Sequence, residues 1–174
     1  MSDLETRARA VRMLVFVVDG VLTDGSLFYG DDGQEYKAFN SRDGHGIKML
    51  RDAGVEIGII TGRTSQVVLH RARNLGITRI FQGAGDKLIP YQELLAQTAL
   101  AQEQVAYMGD DLVDLPVLRR CGLALTVPDA PDEVKARCHF VTRAGAGRGA
   151  AREACELILR AQGAWDAQLA HYDR

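Results

Sequence analysis

An α/β fold built on a doubly wound parallel sheet, with one projecting β-hairpin, is what this sequence predicts. Three observations predict it. Short β-rich runs alternate with helical stretches along the chain. Most of those runs are apolar throughout instead of alternating, as expected when helices cover both faces of a parallel sheet. One segment alone breaks the rhythm, with a turn signal between two β-prone runs.

The strands expected are Met13–Val18, Val55–Thr61, Arg79–Gln82, Val105–Met108, Leu123–Val127 and His139–Thr142. The helices between and after them are Ser65–Leu75, Asp86–Ala101, Leu112–Arg120 and Arg148–Ala161. The first puts Val67, Val68, Leu69, Ala72 and Leu75 on one broad face and stops at Gly76. The second carries Pro90 in its first turns, where a missing N–H costs little. Such alternation implies right-handed crossovers and helices on both sides of the sheet.

The exception spans residues 25–40. Ser26–Tyr29 and Glu35–Phe39 flank Asp31-Asp32-Gly33 and read as a hairpin. It carries Leu27, Phe28, Tyr29, Tyr36 and Phe39. An isolated hairpin is marginal in water, so its rings pack either on the parent domain or, the preferred reading, on other subunits.

The 174 residues suit one domain, 1–174, with residues 163–174 as a loosely held tail. A hydrophobic share of 47% and a charged share of 25% match a soluble globular protein. A net charge of −2 with scattered arginines argues against nucleic acid or a membrane as partner. No apolar run approaches the roughly 20 residues that span a bilayer. Residues 1–12 are polar and show no signal-peptide pattern. Cys121, Cys138 and Cys155 have no metal-type spacing and read as reduced thiols in a cytoplasm.

In an open parallel sheet, ligands bind at the carboxyl ends of the strands. Four segments stand there. Asp19 and Gly20 follow the first strand. Thr61-Gly62-Arg63 ends the next, where a hydroxyl and adjacent N–H groups before a helix make an anion-binding corner. Lys87 sits at a helix start, the wrong end for a cation by the helix dipole. Asp110, Asp111 and Asp114 are three carboxylates that repel unless a cation sits among them. Oxygen-only ligands point to Mg²⁺ over zinc. Each signal alone has a plain structural explanation: a turn, a surface charge, a helix cap. Their order and shared strand-end position favour a phosphate-ester site.

These segments resemble the ordered motifs of the haloacid dehalogenase superfamily of phosphohydrolases. The similarity is closer to its small capless branch, the 3-deoxy-D-manno-octulosonate 8-phosphate phosphatases. Carrying it are Asp19-Gly-Val-Leu-Thr-Asp-Gly25, Arg42-Asp43-Gly44-His45-Gly46, Ile60-Thr-Gly-Arg-Thr-Ser65 with Val68 and Arg71, Leu75-Gly-Ile77, Gln82-Gly83 with Asp86-Lys87, and Gly109-Asp-Asp-Leu-Val-Asp-Leu-Pro116. Gly147-Arg-Gly-Ala-Ala-Arg-Glu153 adds a glycine-rich C-terminal match. The resemblance covers about residues 11 to 162 and implies a Rossmann-like sheet without a cap domain.

It also implies roles. The family's nucleophile is an Asp two positions before Asp19, and here that position is Val17. Valine has no lone pair for phosphorus and no oxygen for a metal. Asp19 is implied as general acid then base, with its backbone carbonyl on Mg²⁺. Thr61 and the Gly62 N–H are implied to hold phosphoryl oxygens, and Lys87 to neutralise charge there. Asp110 is implied to ligate Mg²⁺ and Asp111 to support it, with Asp114 an orienter of Lys87 or of the metal's waters. Arg63, Ser65 and Arg71 are implied to contact the sugar acid, since Arg suits carboxylates. Asp24 lies beyond the turn and is not expected to replace the missing acid. His45 reads as a plain exposed histidine, with a place at the pocket mouth as its alternative.

Tetramers in which hairpins form a central barrel are the family's way of closing a capless site. The glycine-rich segment then reaches its own site or a neighbour's, or simply opens the last helix. Two accounts of Val17 remain from sequence: an introduced change in a competent phosphatase, or a natural pseudoenzyme. The competing functions are a dead assembly module and a metal-dependent sugar-phosphate binder. The substrate expected is 3-deoxy-D-manno-octulosonate 8-phosphate, from lipopolysaccharide precursor synthesis, with a nonulosonate 9-phosphate as rival.

Overall fold

The computed structural model describes residues 1–174. Its elements in chain order are α1 (Asp3–Ala10), β1 (Met13–Phe16), β2 (Phe28–Tyr29), β3 (Glu35–Tyr36), α2 (Ser41–Asp52), β4 (Glu56–Ile60), α3 (Gln66–Leu75), β5 (Arg79–Phe81), α4 (Leu88–Thr98), β6 (Val105–Met108), α5 (Leu115–Leu118), β7 (Leu123–Thr126), α6 (Asp132–Lys135), β8 (Phe140–Val141), α7 (Ala150–Ala161) and α8 (Trp165–Tyr172).

Six strands form one parallel sheet in the order β5-β4-β1-β6-β7-β8. Every residue of β1, β6 and β7 is buried, which is why those runs read as apolar throughout. Strand β5 lies at the edge and is only half-buried. The chain leaves β1 toward β4 on one side and later returns to β6 on the other. This reversal opens the crevice at the carboxyl ends of β1, β4 and β6. No cap domain stands over it. No helix is long and apolar enough to cross a membrane.

All six strands and the four helices of the sequence reading are present, with helix ends shifted. Leu112–Arg120 divides into a short 3₁₀ turn, Leu112–Asp114, and α5. Four helices were not expected from sequence: α1, α2, α6 and α8. In α2, Gly44 and Gly46 weaken helix propensity, and packing overrides it. Gly46 lies against α7, where a Cβ would sit 3.1 Å from the Arg152 Cα. Polar α1 is capped by Ser2, whose hydroxyl accepts from the Glu5 N–H at 3.1 Å. Residues 165–172 form α8 where a loose tail was expected. Trp165 lies under the Arg160 guanidinium at 4.2 Å, and Tyr172 Oη is 2.9 Å from His45 Nε2. That contact places half-buried His45 against the C-terminal helix, and His45 does not line the cleft described below.

Asp43 shows why the Arg42–Gly46 motif is built as it is. The N-cap of α7 is Gly149, which has no side chain to offer. Asp43, buried at 2% exposure, supplies the cap from another helix: its Oδ1 accepts from the Arg152 N–H at 2.9 Å. Its Oδ2 has no partner, and burial raises the Asp43 pKa against the pull of that hydrogen bond. Asp43→Ala is expected to destabilise the fold by about 1 kcal/mol. Urea unfolding measures this as a lower midpoint at unchanged slope.

The hairpin pairs only Phe28 with Tyr36 and Tyr29 with Glu35. Phe28, Tyr29 and Tyr36 are each more than half exposed, and Leu27 nearly so. Phe39 instead turns inward and packs on the core. The cysteines form no disulfide, and burial pushes the Cys121 and Cys138 thiols up to about 12.

Candidate active site

The loop after β1 fixes the site's centre. Val17 continues the strand, its N–H donating to Met108 O at 3.0 Å. Asp19 remains extended, and Gly20 turns the chain at φ 86°. A Cβ on Gly20 would fall 1.9 Å from Asp110 Oδ2. Glycine therefore lets the Asp110 carboxylate lie against the backbone that follows the Asp19 carbonyl.

The β6 end is organised by Asp114, which is fully buried. Its Oδ1 accepts from Lys87 Nζ at 2.6 Å and from Tyr107 Oη at 2.9 Å. Its Oδ2 accepts from the N–H groups of Asp110 and Asp111 at 3.0 and 3.1 Å. Gly109 permits this closeness, since a Cβ there would meet the Asp114 side chain at 2.6 Å. The odd position of Lys87 at the start of α4 is thus explained by an ion pair across the sheet top. Burial, then the Asp114 charge, push the Asp110 carboxyl up to about 7, against the pull of Lys87; Asp111 adds to the rise. A positive charge placed among these carboxylates would lower that pKa.

At the β4 end the Thr61 N–H donates to Phe81 O at 2.9 Å, and the Ala84 N–H donates to Thr61 O at 3.1 Å. These bonds bind the Thr61–Arg63 corner to the Gly83–Gly85 loop. A cleft of about 310 Å³ opens between the three strand ends. It is lined by Val17, Asp19, Thr61, Gly62, Arg63, Ala84, Gly85, Lys87, Asp110, Asp111 and Val113.

Of the residues singled out from sequence, Asp19, Thr61, Gly62, Arg63, Lys87, Asp110 and Asp111 meet there, with Val17 among them. Ser65 and Arg71 do not line the cleft. Ser65 is buried behind it, its N–H donating to Gln82 Oε1 at 2.8 Å. Arg71 donates to Asn40 O at 3.2 Å and stacks over Phe39. Asp24 is also outside, with one carboxylate oxygen accepting from the Ser26 N–H at 2.9 Å. No second acid takes the place of Val17. The glycine-rich loop packs on its own chain, the Gly147 N–H donating to Val21 O at 3.0 Å, without lining the cleft.

Two residues absent from the sequence reading complete the site. Lys37 Nζ lies 2.5 Å from Asp19 Oδ1 and 2.9 Å from Glu35 Oε1. Burial lowers the Lys37 pKa, but the two carboxylates outweigh it and leave it above the ordinary lysine value. Glu35 in turn lies 3.8 Å from Arg63 Nε, and Arg63 donates to the Tyr29 hydroxyl. Period-2 patterning puts Glu35 and Lys37 on one strand face, the only signal that could have paired them.

A parallel sheet with an acid after β1, a hydroxyl after β4, a lysine before α4 and paired acids after β6 defines a haloacid dehalogenase-like hydrolase. The sequence model of that family matches residues 76–153. Within it, the chain belongs to the family of 3-deoxy-D-manno-octulosonate 8-phosphate phosphatases, which are phosphoric monoester hydrolases. The phosphatase of that name from Yersinia pestis, KdsC, is 49% identical over 161 residues, spanning 92% of this chain and 86% of the relative. A probable YrbI family phosphatase from Pseudomonas syringae superposes with a TM-score of 0.97 at 52% identity, covering 99% of this chain and 98% of that one. The phosphatase from Moraxella catarrhalis, solved with a magnesium ion, a phosphate ion and KDO, superposes with a TM-score of 0.97 at 39% identity, covering 99% of both chains.

Proposed function

We propose that this fold is built to hydrolyse a sugar-acid phosphate, 3-deoxy-D-manno-octulosonate 8-phosphate first among them, with Mg²⁺, and that Val17 leaves this chain unable to do so. The observation that carries both halves is one cleft: Val17 shares it with Asp19, Thr61, Lys87, Asp110 and Asp111.

The donors suit a hard cation. Asp110 is desolvated beside two further carboxylates and lies against the loop that bears the Asp19 carbonyl. Asp110 and the Asp19 carbonyl would hold Mg²⁺, with Asp111 in support. The ion would supply positive charge to offset that of the phosphoryl group. Val17 contributes no oxygen, and no three acid, histidine or cysteine side chains close into a metal cluster. The remaining residues have clear tasks. Thr61 and the Gly62 N–H hold phosphoryl oxygens, and Lys87, fixed by Asp114, faces their charge. Arg63, which lines the cleft, suits the substrate carboxylate. Asp19 passes a proton to the leaving sugar oxygen and later takes one from water. The step missing is attack on phosphorus, which needs a carboxylate where Val17 stands.

Phosphate release from 3-deoxy-D-manno-octulosonate 8-phosphate with Mg²⁺, measured side by side for this chain and Val17→Asp, tests the reading. Release by the variant alone supports it. No release by either, across a panel of sugar-acid phosphates, transfers the function to an assembly module.

That second reading has its own observation, the exposed aromatic hairpin. Under both readings the hairpins join four copies, and the protein works in the cytoplasm, where lipopolysaccharide inner-core sugars are made. Phe28→Ser with Tyr36→Ser is expected to dissociate the tetramer to monomers. Sedimentation velocity at micromolar concentration measures it, and an unchanged tetramer would remove the hairpin from the interface.

A further inference from the structure

We propose that Lys37 is a positioning residue for Asp19, so that the base of the hairpin serves the acid/base chemistry while its tip faces outward. The inference rests on the phosphatase reading for its catalytic part.

Lysine ammonium groups ordinarily reach water. The Lys37 side chain is 0% exposed and closes on two carboxylates, Asp19 at 2.5 Å and Glu35 at 2.9 Å. It is the first residue after β3, so the hairpin leaves the site after Gly25 and returns directly into it. Nothing in the outward-facing role of Phe28 and Tyr36 calls for this arrangement.

The geometry assigns each oxygen of Asp19 a task. Oδ1 is occupied by Lys37. Oδ2 is left for the proton that passes to the ester oxygen as its P–O bond breaks and the residue-17 carboxylate of the Val17→Asp protein bonds to phosphorus. The same oxygen takes a proton back when a water oxygen bonds to phosphorus and displaces that carboxylate. Fixing one oxygen fixes the carboxylate plane, and proton transfer depends steeply on such alignment. Glu35 extends the contact to Arg63, and Arg63 to Tyr29. One chain of polar contacts therefore runs from the proton-transfer group to the cleft-lining arginine suited to the substrate carboxylate, through hairpin residues.

The test uses the Val17→Asp protein with 3-deoxy-D-manno-octulosonate 8-phosphate. Adding Lys37→Met is expected to lower kcat by on the order of 10²-fold, with KM little changed. Lys37→Arg, which keeps the charge, is expected to recover part of that loss. An undiminished kcat, or a loss confined to KM, overturns the proposal. If Val17→Asp turns over no sugar-acid phosphate, the phosphatase reading has failed separately. Lys37 is then judged in the chain with Val17 by a double-mutant cycle of Lys37→Met and Asp19→Asn in urea unfolding. Non-additive effects support the held carboxylate, and additive effects overturn it. Should Lys37→Met not fold, Lys37→Gln replaces it in both experiments.

Discussion

Val17→Asp is expected to raise the rate of phosphate release from 3-deoxy-D-manno-octulosonate 8-phosphate by on the order of 10⁶-fold, the scale on which removal of a nucleophile abolishes turnover. Three features make the substitution local. Aspartate and valine are close in size, the residue-17 backbone is extended, and its N–H bond to Met108 O does not involve the side chain. The remaining groups already line the cleft. A carboxylate at position 17 supplies the attacking oxygen and one more oxygen for a cation. It also adds charge to a site where Asp110 is already pushed up to about 7. The variant is therefore expected to be less heat-stable without Mg²⁺ than the chain with Val17, and to gain more stability from added Mg²⁺. Val17→Asn, with the same shape and no nucleophile, is the control and should stay inert. Colorimetric phosphate release and thermal unfolding read both effects. Equal activity of the chain with Val17 and the variant would place the nucleophile elsewhere.

Asp114→Ala is expected to destabilise the protein by about 3–5 kcal/mol, because it leaves a buried cation without its partner. Lys87 is 5% exposed, and its Nζ bond to Asp114 is 2.6 Å long. The Tyr107 hydroxyl and the N–H groups of Asp110 and Asp111 lose their acceptor in the same stroke. A protein of this size should then melt roughly 10 °C lower or more. Asp114→Asn retains an acceptor oxygen and should fall between. Thermal and urea unfolding in the Val17 background measure this without any assay of turnover. A loss under about 1 kcal/mol would show that Lys87 finds water or another anion, contrary to the buried pair.

Sequence and structure divide this protein along the range of the interactions involved. The sequence by itself determined the sheet, because strands covered on both faces must be apolar at every position, as β1, β6 and β7 are. It also determined the cleft residues, because the strand-end rule converts chain position into spatial position: Asp19, Thr61, Lys87 and Asp110 came together as their places after successive strands required. The gap at Val17 was legible only through the resemblance to the haloacid dehalogenase superfamily, whose nucleophile stands two positions before the residue matched by Asp19. The tertiary structure decided what depends on one element crossing another. Asp43 caps a helix that begins more than a hundred residues later, and no local pattern encodes that pairing. Arg71 reads like a ligand for a sugar acid, yet the approach of α2 to α3 ties it to Asn40 and Phe39. Lys37 reads like an exposed hairpin lysine. Only the fold of that hairpin over the β1 loop buries its ammonium against Asp19, because ion-pair partners are chosen by proximity in space and leave no periodic mark on the chain.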